Sequence, residues 1–135
     1  MTQKNQAELE NNVFFWQKLD TLVLSGNMEM VRPAGSPSVD YPRLVYPADF
    51  LKITDAISST GVPLYAFRGS KKTLTVDAVI VQADILAREV LAKVLISCTD
   101  KEIEHIIKFI NGAEFQKGIL VRRGSSVPNW ADTDQ

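Results

Sequence analysis

Cysteine and histidine are almost missing from this sequence, since its 135 residues include only one of each, Cys98 and His105. A structural zinc site usually needs four ligands drawn mostly from these two residue types, and a disulfide needs two cysteines. A Cys/His zinc site within one subunit and an intrachain disulfide are therefore excluded. Cys98 ends an apolar segment and His105 lies at the edge of an apolar helix stripe, so both are interpreted as structural or surface residues.

An excess of charge of one sign and a long apolar run are also lacking. Lys and Arg number 15 against 16 Asp and Glu, which gives a formal net charge of -1 and a pI near 5.8. Nucleic acids and anionic membranes attract clustered basic charge, and a membrane-spanning helix needs roughly 20 apolar residues. The sequence thus predicts no nucleic-acid partner and no membrane partner. Residues 1–12 contain no apolar segment typical of a signal peptide, which favours a cytoplasmic location.

Short catalytic motifs are missing as well. The sequence has no GxGxxG, P-loop, nucleophile elbow or HExxH, so Rossmann dehydrogenases, P-loop NTPases, α/β hydrolases and zincins lack support. Because 45% of the residues are apolar, the chain can nevertheless form a folded core. The length predicts one domain over residues 11–123, between a flexible N-terminal segment (1–10) and a loose C-terminal tail (124–135) that carries Trp130.

Helical and extended segments both occur in this domain. Apolar residues spaced three or four apart predict a helix that begins at Asn11 or Asn12 and ends near Gly26. A second helix over residues 99–111 starts with a capping box formed by Thr99 and Glu102. Strands are predicted at 28–32, 63–67, 74–81, 93–98 and 117–122, with 63–67 and 74–81 paired as a hairpin. Residues 83–91 fit either a helical turn or a loop, and the whole pattern favours an α+β fold with a small, partly open barrel.

Six short motifs in a fixed order cover residues 14–122, almost the whole domain. They are Phe15-Trp16-x-Lys18-Leu19-Asp20, Arg32-Pro33-x-Gly35-Ser36, Tyr46-Pro47-x-Asp49-Phe50, Arg68-Gly69-Ser70, Cys98-Thr99-x-x-Glu102 and Lys117-Gly118-Ile119-Leu120. In this order and spacing the series resembles a short bacterial branch of the soluble inorganic pyrophosphatase family. The resemblance implies an OB-like barrel of about five strands, with flanking helices, that hydrolyses pyrophosphate with Mg²⁺ in the cytoplasm.

The metal-binding signature of that family is altered in this chain. Pyrophosphate carries several negative charges, so a cluster of aspartates must hold the Mg²⁺ ions that neutralise it and supply a hydroxide nucleophile. Aligned on Arg68-Gly69-Ser70, the three signature aspartates fall on Thr60, Val62 and Tyr65. The resemblance therefore implies a degenerate member that is inactive on pyrophosphate and needs no cofactor.

Other charged positions of the family remain. The resemblance places Asp84 on a metal-ligand aspartate and Lys93 on a phosphate-binding lysine, and Asp49 is a second candidate metal ligand. The further candidates for binding phosphate are Arg32, Arg43 and Arg68.

Three functional hypotheses stay open at this point. The favoured one is a pyrophosphatase-like protein without hydrolysis, retained as a binding or assembly module. The second is a weak Mg²⁺-dependent pyrophosphatase or phosphohydrolase, with a site rebuilt from Asp49, Asp84 and either Asp77 or Glu89. The third is metal-free binding of phosphate, pyrophosphate or a nucleotide phosphate by basic side chains. Association into a homo-oligomer is a separate expectation, which rests on Phe14, Phe15, Trp16 and Trp130.

Overall fold

A computed structural model describes residues 10–58 and 61–124, and within them it contains two helices and six strands. The helices are α1 (Val13–Leu24) and α2 (Asp100–Asn111). The strands are β1 (Met28–Arg32), β2 (Asp49–Ile57), β3 (Pro63–Arg68), β4 (Val76–Asp84), β5 (Glu89–Ile96) and β6 (Gln116–Arg122). Neither helix is long and apolar enough to cross a membrane.

The strands form one mixed sheet in the order β1-β2-β3-β5-β4-β6. The pair β3 and β5 is parallel, and every other neighbouring pair is antiparallel. The sheet does not close, because β1 and β6 each pair on one side only. The predicted α+β class with two helices is confirmed, and the strand count is six where about five were expected.

Two details of the strand prediction are wrong. Strands β3 and β4 do not form a hairpin, because β3 pairs with β2 and β5, while β4 pairs with β5 and β6. Strand β2 was not predicted, since Phe50 and Leu51 are both buried and break the strict alternation of a half-exposed strand. Of residues 83–91, which were expected to form a helical turn or a loop, 85–88 form a turn held by Asp84, and the others belong to the paired strands β4 and β5.

Capping residues fix where both helices begin. The Asn12 side chain accepts hydrogen bonds from the backbone N–H groups of Phe14 and Phe15, at 2.8 and 3.2 Å. At the start of α2 the predicted capping box is confirmed, since Thr99 and Glu102 exchange side-chain to backbone hydrogen bonds. These caps satisfy N–H groups that have no partner within a helix.

The core lies on both faces of the sheet. On one face, α1 contributes Trp16 and Val23 to a cluster with Ile53 and other strand residues. On the other face, α2 contributes Ile103 and Ile106 to a second cluster. Neighbouring residues of β4 face opposite clusters, as the two-residue repeat of a strand requires. The helices therefore cover opposite faces and leave the strand ends and the connecting loops to form a cleft.

The aromatic residues expected to mediate self-association have different environments. Trp16 is 1% exposed and belongs to the chain's own core, whereas Phe14 and Phe15 are 50% and 52% exposed. Trp130 lies outside the residues that the structure describes. Of the described aromatic residues in this set, Phe14 and Phe15 are the ones available at the surface, and a homo-oligomer stays a prediction.

Candidate functional site

A cleft of about 720 Å³ opens on the α2 side of the sheet. It is bounded by the loop before β2, the hairpin between β4 and β5, and the C-terminal part of α2 with the segment that follows it. Its lining residues are Ser38, Asp40, Tyr41, Leu44, Tyr46, Phe50, Phe67, Asp84, Leu86, Ala87, Lys93, Phe109, Ala113, Phe115 and Gln116. The volume lies within the range of about 300–1,000 Å³ that is common for small-molecule sites.

Four lining rings, Tyr46, Phe50, Phe67 and Phe109, pack together and are called here the aromatic wall. The Tyr46 ring centroid lies 5.4 Å from that of Phe50 and 4.7 Å from that of Phe109. The Phe50 and Phe67 centroids are 4.9 Å apart. Tilted ring pairs at these separations stabilise each other by about 0.5–1.5 kcal/mol beyond simple area burial. The wall is therefore a rigid apolar surface rather than a set of flexible side chains.

Lys93 brings a positive charge to this apolar surface. It lies on β5, in register with Tyr65 of β3 and Ile80 of β4, and its Nζ is 5.2 Å from the Phe50 ring centroid. Burial lowers the pKa of Lys93 from its usual 10.5 to about 8, although the carboxylates of Glu89 and Asp84 act in the opposite direction. No hydrogen bond or ion pair joins its Nζ to another residue of segments 10–58 and 61–124. The ammonium thus faces the cleft with all three of its donors available.

The two candidate metal ligands lie at opposite ends of the strands. Asp49 is in register with Arg68 of β3, which in turn pairs with Ile96, the last residue of β5. Asp84 pairs with Glu89, the first residue of β5. Eight residues of β5 separate these ends, about 23 Å at roughly 3.3 Å per residue. In the described part of the chain, no three His, Cys, Asp or Glu side chains form a group that could hold a metal ion.

Both aspartates also bind backbone groups. The Oδ1 of Asp84 accepts hydrogen bonds from the N–H groups of Leu86 and Ala87, each at 2.9 Å, which shapes the hairpin turn. The Oδ1 of Asp49 accepts one from the N–H of Ala34, also at 2.9 Å. Side-chain oxygens of Asp commonly order turns in this way. Through these contacts both aspartates order the backbone around them, and their role as metal ligands stays a prediction.

The signature positions show what stands in place of carboxylates. Tyr65 lies on β3, and its ring stacks on Phe50 with centroids 5.2 Å apart and an interplanar angle of 12°. Val62 precedes β3 and is 37% exposed, with its carbonyl accepting the N–H of Ser58. Thr60 lies outside the described residues. Tyr65 therefore extends the aromatic wall beside Lys93 instead of supplying an oxygen ligand.

The three candidate arginines do not line the cleft. Arg43 borders an adjoining groove, which shares Asp40, Tyr41 and Leu44 with the cleft. Arg68 is exposed at the end of β3. Burial raises the pKa of the Tyr46 phenol, and the charge of Asp40 acts in the same direction. The charge of Arg32 opposes this increase. Of the candidate phosphate-binding residues, the structure places only Lys93 in the cleft lining.

Cys98 and His105 play no part in this cleft. Burial raises the pKa of the Cys98 thiol to about 12, and the charges of Glu102 and Asp77 act in the same direction. His105 is exposed on α2. The interpretation of Cys98 as a structural thiol agrees with this environment, because the neutral thiol is a poor nucleophile.

Two of the sequence motifs meet behind the cleft at Glu102. Its carboxylate accepts hydrogen bonds from the N–H of Thr99 at 2.8 Å and of Ser70 at 3.1 Å. Burial opposes ionisation of Glu102, but these hydrogen bonds outweigh it and lower the pKa of the carboxyl group. Gly69 fits against the same junction between β5 and α2. This contact supports the fold, since it holds the β3 end against the start of α2.

Substitution of Gly69 by alanine is expected to destabilise the protein by about 1–3 kcal/mol, the usual cost of overpacking. A Cβ at this position would lie 2.6 Å from the Ser97 carbonyl oxygen and 2.8 Å from the Cys98 Cα. Both are backbone atoms, so neither can rotate away. Urea unfolding followed by circular dichroism measures the effect. Lys72→Ala, at an exposed position in the same loop, is the control, and equal urea midpoints for the two variants would contradict the close contact.

Sequence patterns did not reveal most of the cleft. Asp40, Phe109 and Gln116 line it, yet they belong to a loop, a helix and a strand without any shared motif. Tyr46 and Phe50 belong to one motif, but the motif gives no sign that their rings face Lys93. Sequence signals were present for Asp84 and Lys93, which line the cleft, and for the neighbouring Tyr65, an aromatic residue at an expected carboxylate position.

Comparison with known proteins gives support at the level of the fold. No protein-family model and no curated protein sequence matches this chain. An inorganic pyrophosphatase from Neisseria gonorrhoeae is structurally similar, with a TM-score of 0.55 and 14% identity over 71% of this chain and 81% of that one. An inorganic pyrophosphatase from Coxiella burnetii gives a TM-score of 0.54 and 10% identity, over 71% and 84%. The open six-stranded sheet and its two helices are therefore arranged as in inorganic pyrophosphatases.

Proposed function

We propose that this chain is a pyrophosphatase-fold protein that does not hydrolyse pyrophosphate and acts as a binding module for a small anion at Lys93. One observation carries the proposal. Tyr65, at the position of a signature aspartate, stacks on Phe50 next to the ammonium of Lys93. The site thus combines one cation with aromatic rings at the place where catalysis would require a carboxylate.

The charge and the ligands near the cleft support binding without hydrolysis. Splitting pyrophosphate in this fold family needs metal ions that convert water to hydroxide and neutralise the phosphate oxygens. The described residues hold no group of three or more metal-ligating side chains, and Asp49 and Asp84 lie at opposite strand ends. A lysine can hold an anion through charge-assisted hydrogen bonds, but it supplies no nucleophilic water.

A phosphate-release assay tests this proposal. Purified protein is incubated with pyrophosphate and about 5 mM Mg²⁺ or Mn²⁺, enough to fill weak carboxylate sites, beside an active pyrophosphatase as a positive control. We expect no release of phosphate above the blank. Turnover of roughly 1 s⁻¹ or more, within the ordinary range for enzymes, would overturn the proposal.

A weak Mg²⁺-dependent pyrophosphatase or phosphohydrolase is the alternative. It is favoured by one observation, namely that two carboxylates, Asp40 and Asp84, line the same cleft as Lys93. If phosphate release is found, Asp84→Asn should abolish it, whereas Asp100→Asn, at a side chain 96% exposed outside the cleft, should not. Equal activity of both variants would exclude Asp84 as a metal ligand.

A further inference from the structure

We infer that the cleft binds a planar aromatic ring that carries one singly charged acidic group, with the acid on Lys93 and the ring on the aromatic wall. This inference rests on the proposed function and names its ligand class. It also predicts that pyrophosphate itself is a poor ligand. The argument has three steps, which concern the ammonium, the net charge and the shape of the cleft.

The ammonium of Lys93 has no hydrogen-bond acceptor among the described residues and is open to the cleft. Its Nζ contacts the face of Phe50 but forms no hydrogen bond or ion pair with a residue of segments 10–58 and 61–124. An anion bound there would form charge-assisted hydrogen bonds with the ammonium, which are stronger than hydrogen bonds between neutral groups. The three free donors therefore favour an acidic ligand over a neutral one.

The net charge of the cleft limits how much negative charge the ligand can carry. Among the described residues of the lining, Lys93 is the one basic side chain, and Asp40 and Asp84 contribute two carboxylates. Pyrophosphate without metal would place several negative charges near these two carboxylates, and like charges at short range repel strongly in a partly buried site. A single negative charge paired with Lys93 meets much less repulsion from these carboxylates than a multiply charged ion does.

The aromatic wall accounts for the ring. Tyr46 and Phe109, whose ring centroids are 4.7 Å apart, are partly exposed to the cleft, and the buried Phe50 ring joins them to the ammonium. A planar ring can stack on such a surface or meet it edge to face, and these contacts are favourable beyond the burial of apolar area. Phosphate and pyrophosphate have no apolar surface to place there. The cleft of about 720 Å³ is also larger than either ion requires.

Isothermal titration calorimetry with four probes tests the inference on the full-length protein. The first probe, 2-naphthoate, has both the ring and the charge. The others are 2-naphthalenemethanol, which has the ring alone, acetate, which has the charge alone, and metal-free pyrophosphate. We expect 2-naphthoate to bind more tightly than the other three. Lys93→Met should weaken 2-naphthoate by about tenfold or more, the loss expected for a charge-assisted hydrogen bond. Lys52→Met is the matched control, because Lys52 pairs with Glu29 and does not line the cleft.

A second pair of variants tests the ring contact. Phe109→Leu should weaken 2-naphthoate but leave acetate unchanged, whereas Phe14→Leu, at an exposed ring on α1, should change neither. If metal-free pyrophosphate binds more tightly than 2-naphthoate and depends on Lys93, the inferred ligand class is wrong while the proposed anion site stands. If phosphate is released in the enzymatic assay, the proposed function itself fails. The inference is overturned if 2-naphthoate does not bind, or if it binds the Lys93→Met variant as tightly as it binds the wild type.

Discussion

Replacement of Lys93 by methionine is expected to raise the free energy of unfolding by about 3 kcal/mol at pH 7, which is the equivalent of the pKa difference between the usual 10.5 and about 8. The folded state holds this ammonium in a partly buried apolar cleft, where charge is disfavoured, whereas the unfolded chain exposes it to water. Methionine has a similar length and no charge, so it can fill the same space against Phe50.

The pH dependence of this effect has a defined sign. The folded-state pKa of Lys93, about 8, lies below its usual 10.5, so between these values the unfolded chain binds more protons than the folded protein. Stability from this group therefore increases as pH rises through that window. The penalty is complete below pH 8 and disappears near pH 11, so the advantage of Lys93→Met should shrink over the same range.

Urea unfolding at pH 7 and pH 10 measures both effects. Lys52→Met serves as the control, because this lysine forms an ion pair with Glu29 at 3.4 Å and has a side chain that is 34% exposed. Its substitution should change stability by no more than about 0.5 kcal/mol at either pH, as is usual near a protein surface. If Lys93→Met is no more stable than the wild type at pH 7, or keeps its full advantage at pH 10, the burial argument is wrong.

A stabilising loss of Lys93 would have a functional meaning. Groups that oppose folding are concentrated at sites of binding and catalysis, where selection for activity tolerates a loss of stability. The position could hold an apolar residue, since its neighbours include Phe50 and Tyr65. A lysine at this position agrees with the proposed anion site.

Much of the fold was predictable because the sequence motifs are structural contacts. The N–H of Gly35 donates to the Tyr46 carbonyl at 2.8 Å, which joins two of the motifs. Asp20, from the first motif, accepts hydrogen bonds from the Val76 N–H and from Arg123. Burial opposes ionisation of Asp20, yet these bonds outweigh it and lower the pKa of its carboxyl group. Residues with such specific partners keep their spacing, and spacing can be recognised in a sequence.

The pairing of strands could not be predicted in the same way. A short apolar strand is compatible with several neighbours, and the choice depends on the cores that form on the two faces of the sheet. Strand β3 pairs with β5 in parallel across an intervening segment of the chain, which local turn signals cannot indicate. The aromatic wall was hidden for a related reason, because Phe109 reaches it from a helix that is distant in sequence from Tyr46 and Phe50.

Substitution of Trp16 by alanine is expected to reduce the free energy of unfolding by about 3–5 kcal/mol, as for other buried aromatic residues. Trp16 is 1% exposed and packs in the core between α1 and the sheet. Its Nε1–H donates to the Asn11 side chain, and the guanidinium of Arg123 lies over the ring at 5.9 Å. Asn11 also donates to the Arg122 carbonyl at 2.8 Å. Loss of the indole therefore removes a large apolar group and disturbs the contact between α1 and the end of β6.

Phe15→Ala is the matched control for this prediction. The neighbouring Phe15 ring meets Trp16 edge to face at 5.3 Å, but it is 52% exposed, so its loss should cost about 1 kcal/mol or less in a monomer. Trp16→Phe separates the two contributions, because it keeps most of the apolar volume and removes only the N–H donor. Its stability should lie between those of the wild type and Trp16→Ala. Equal urea midpoints for Trp16→Ala and Phe15→Ala would contradict the assignment of Trp16 to the core. A large loss of stability in Phe15→Ala that is seen only at high protein concentration would indicate that Phe15 is buried between two copies of the chain.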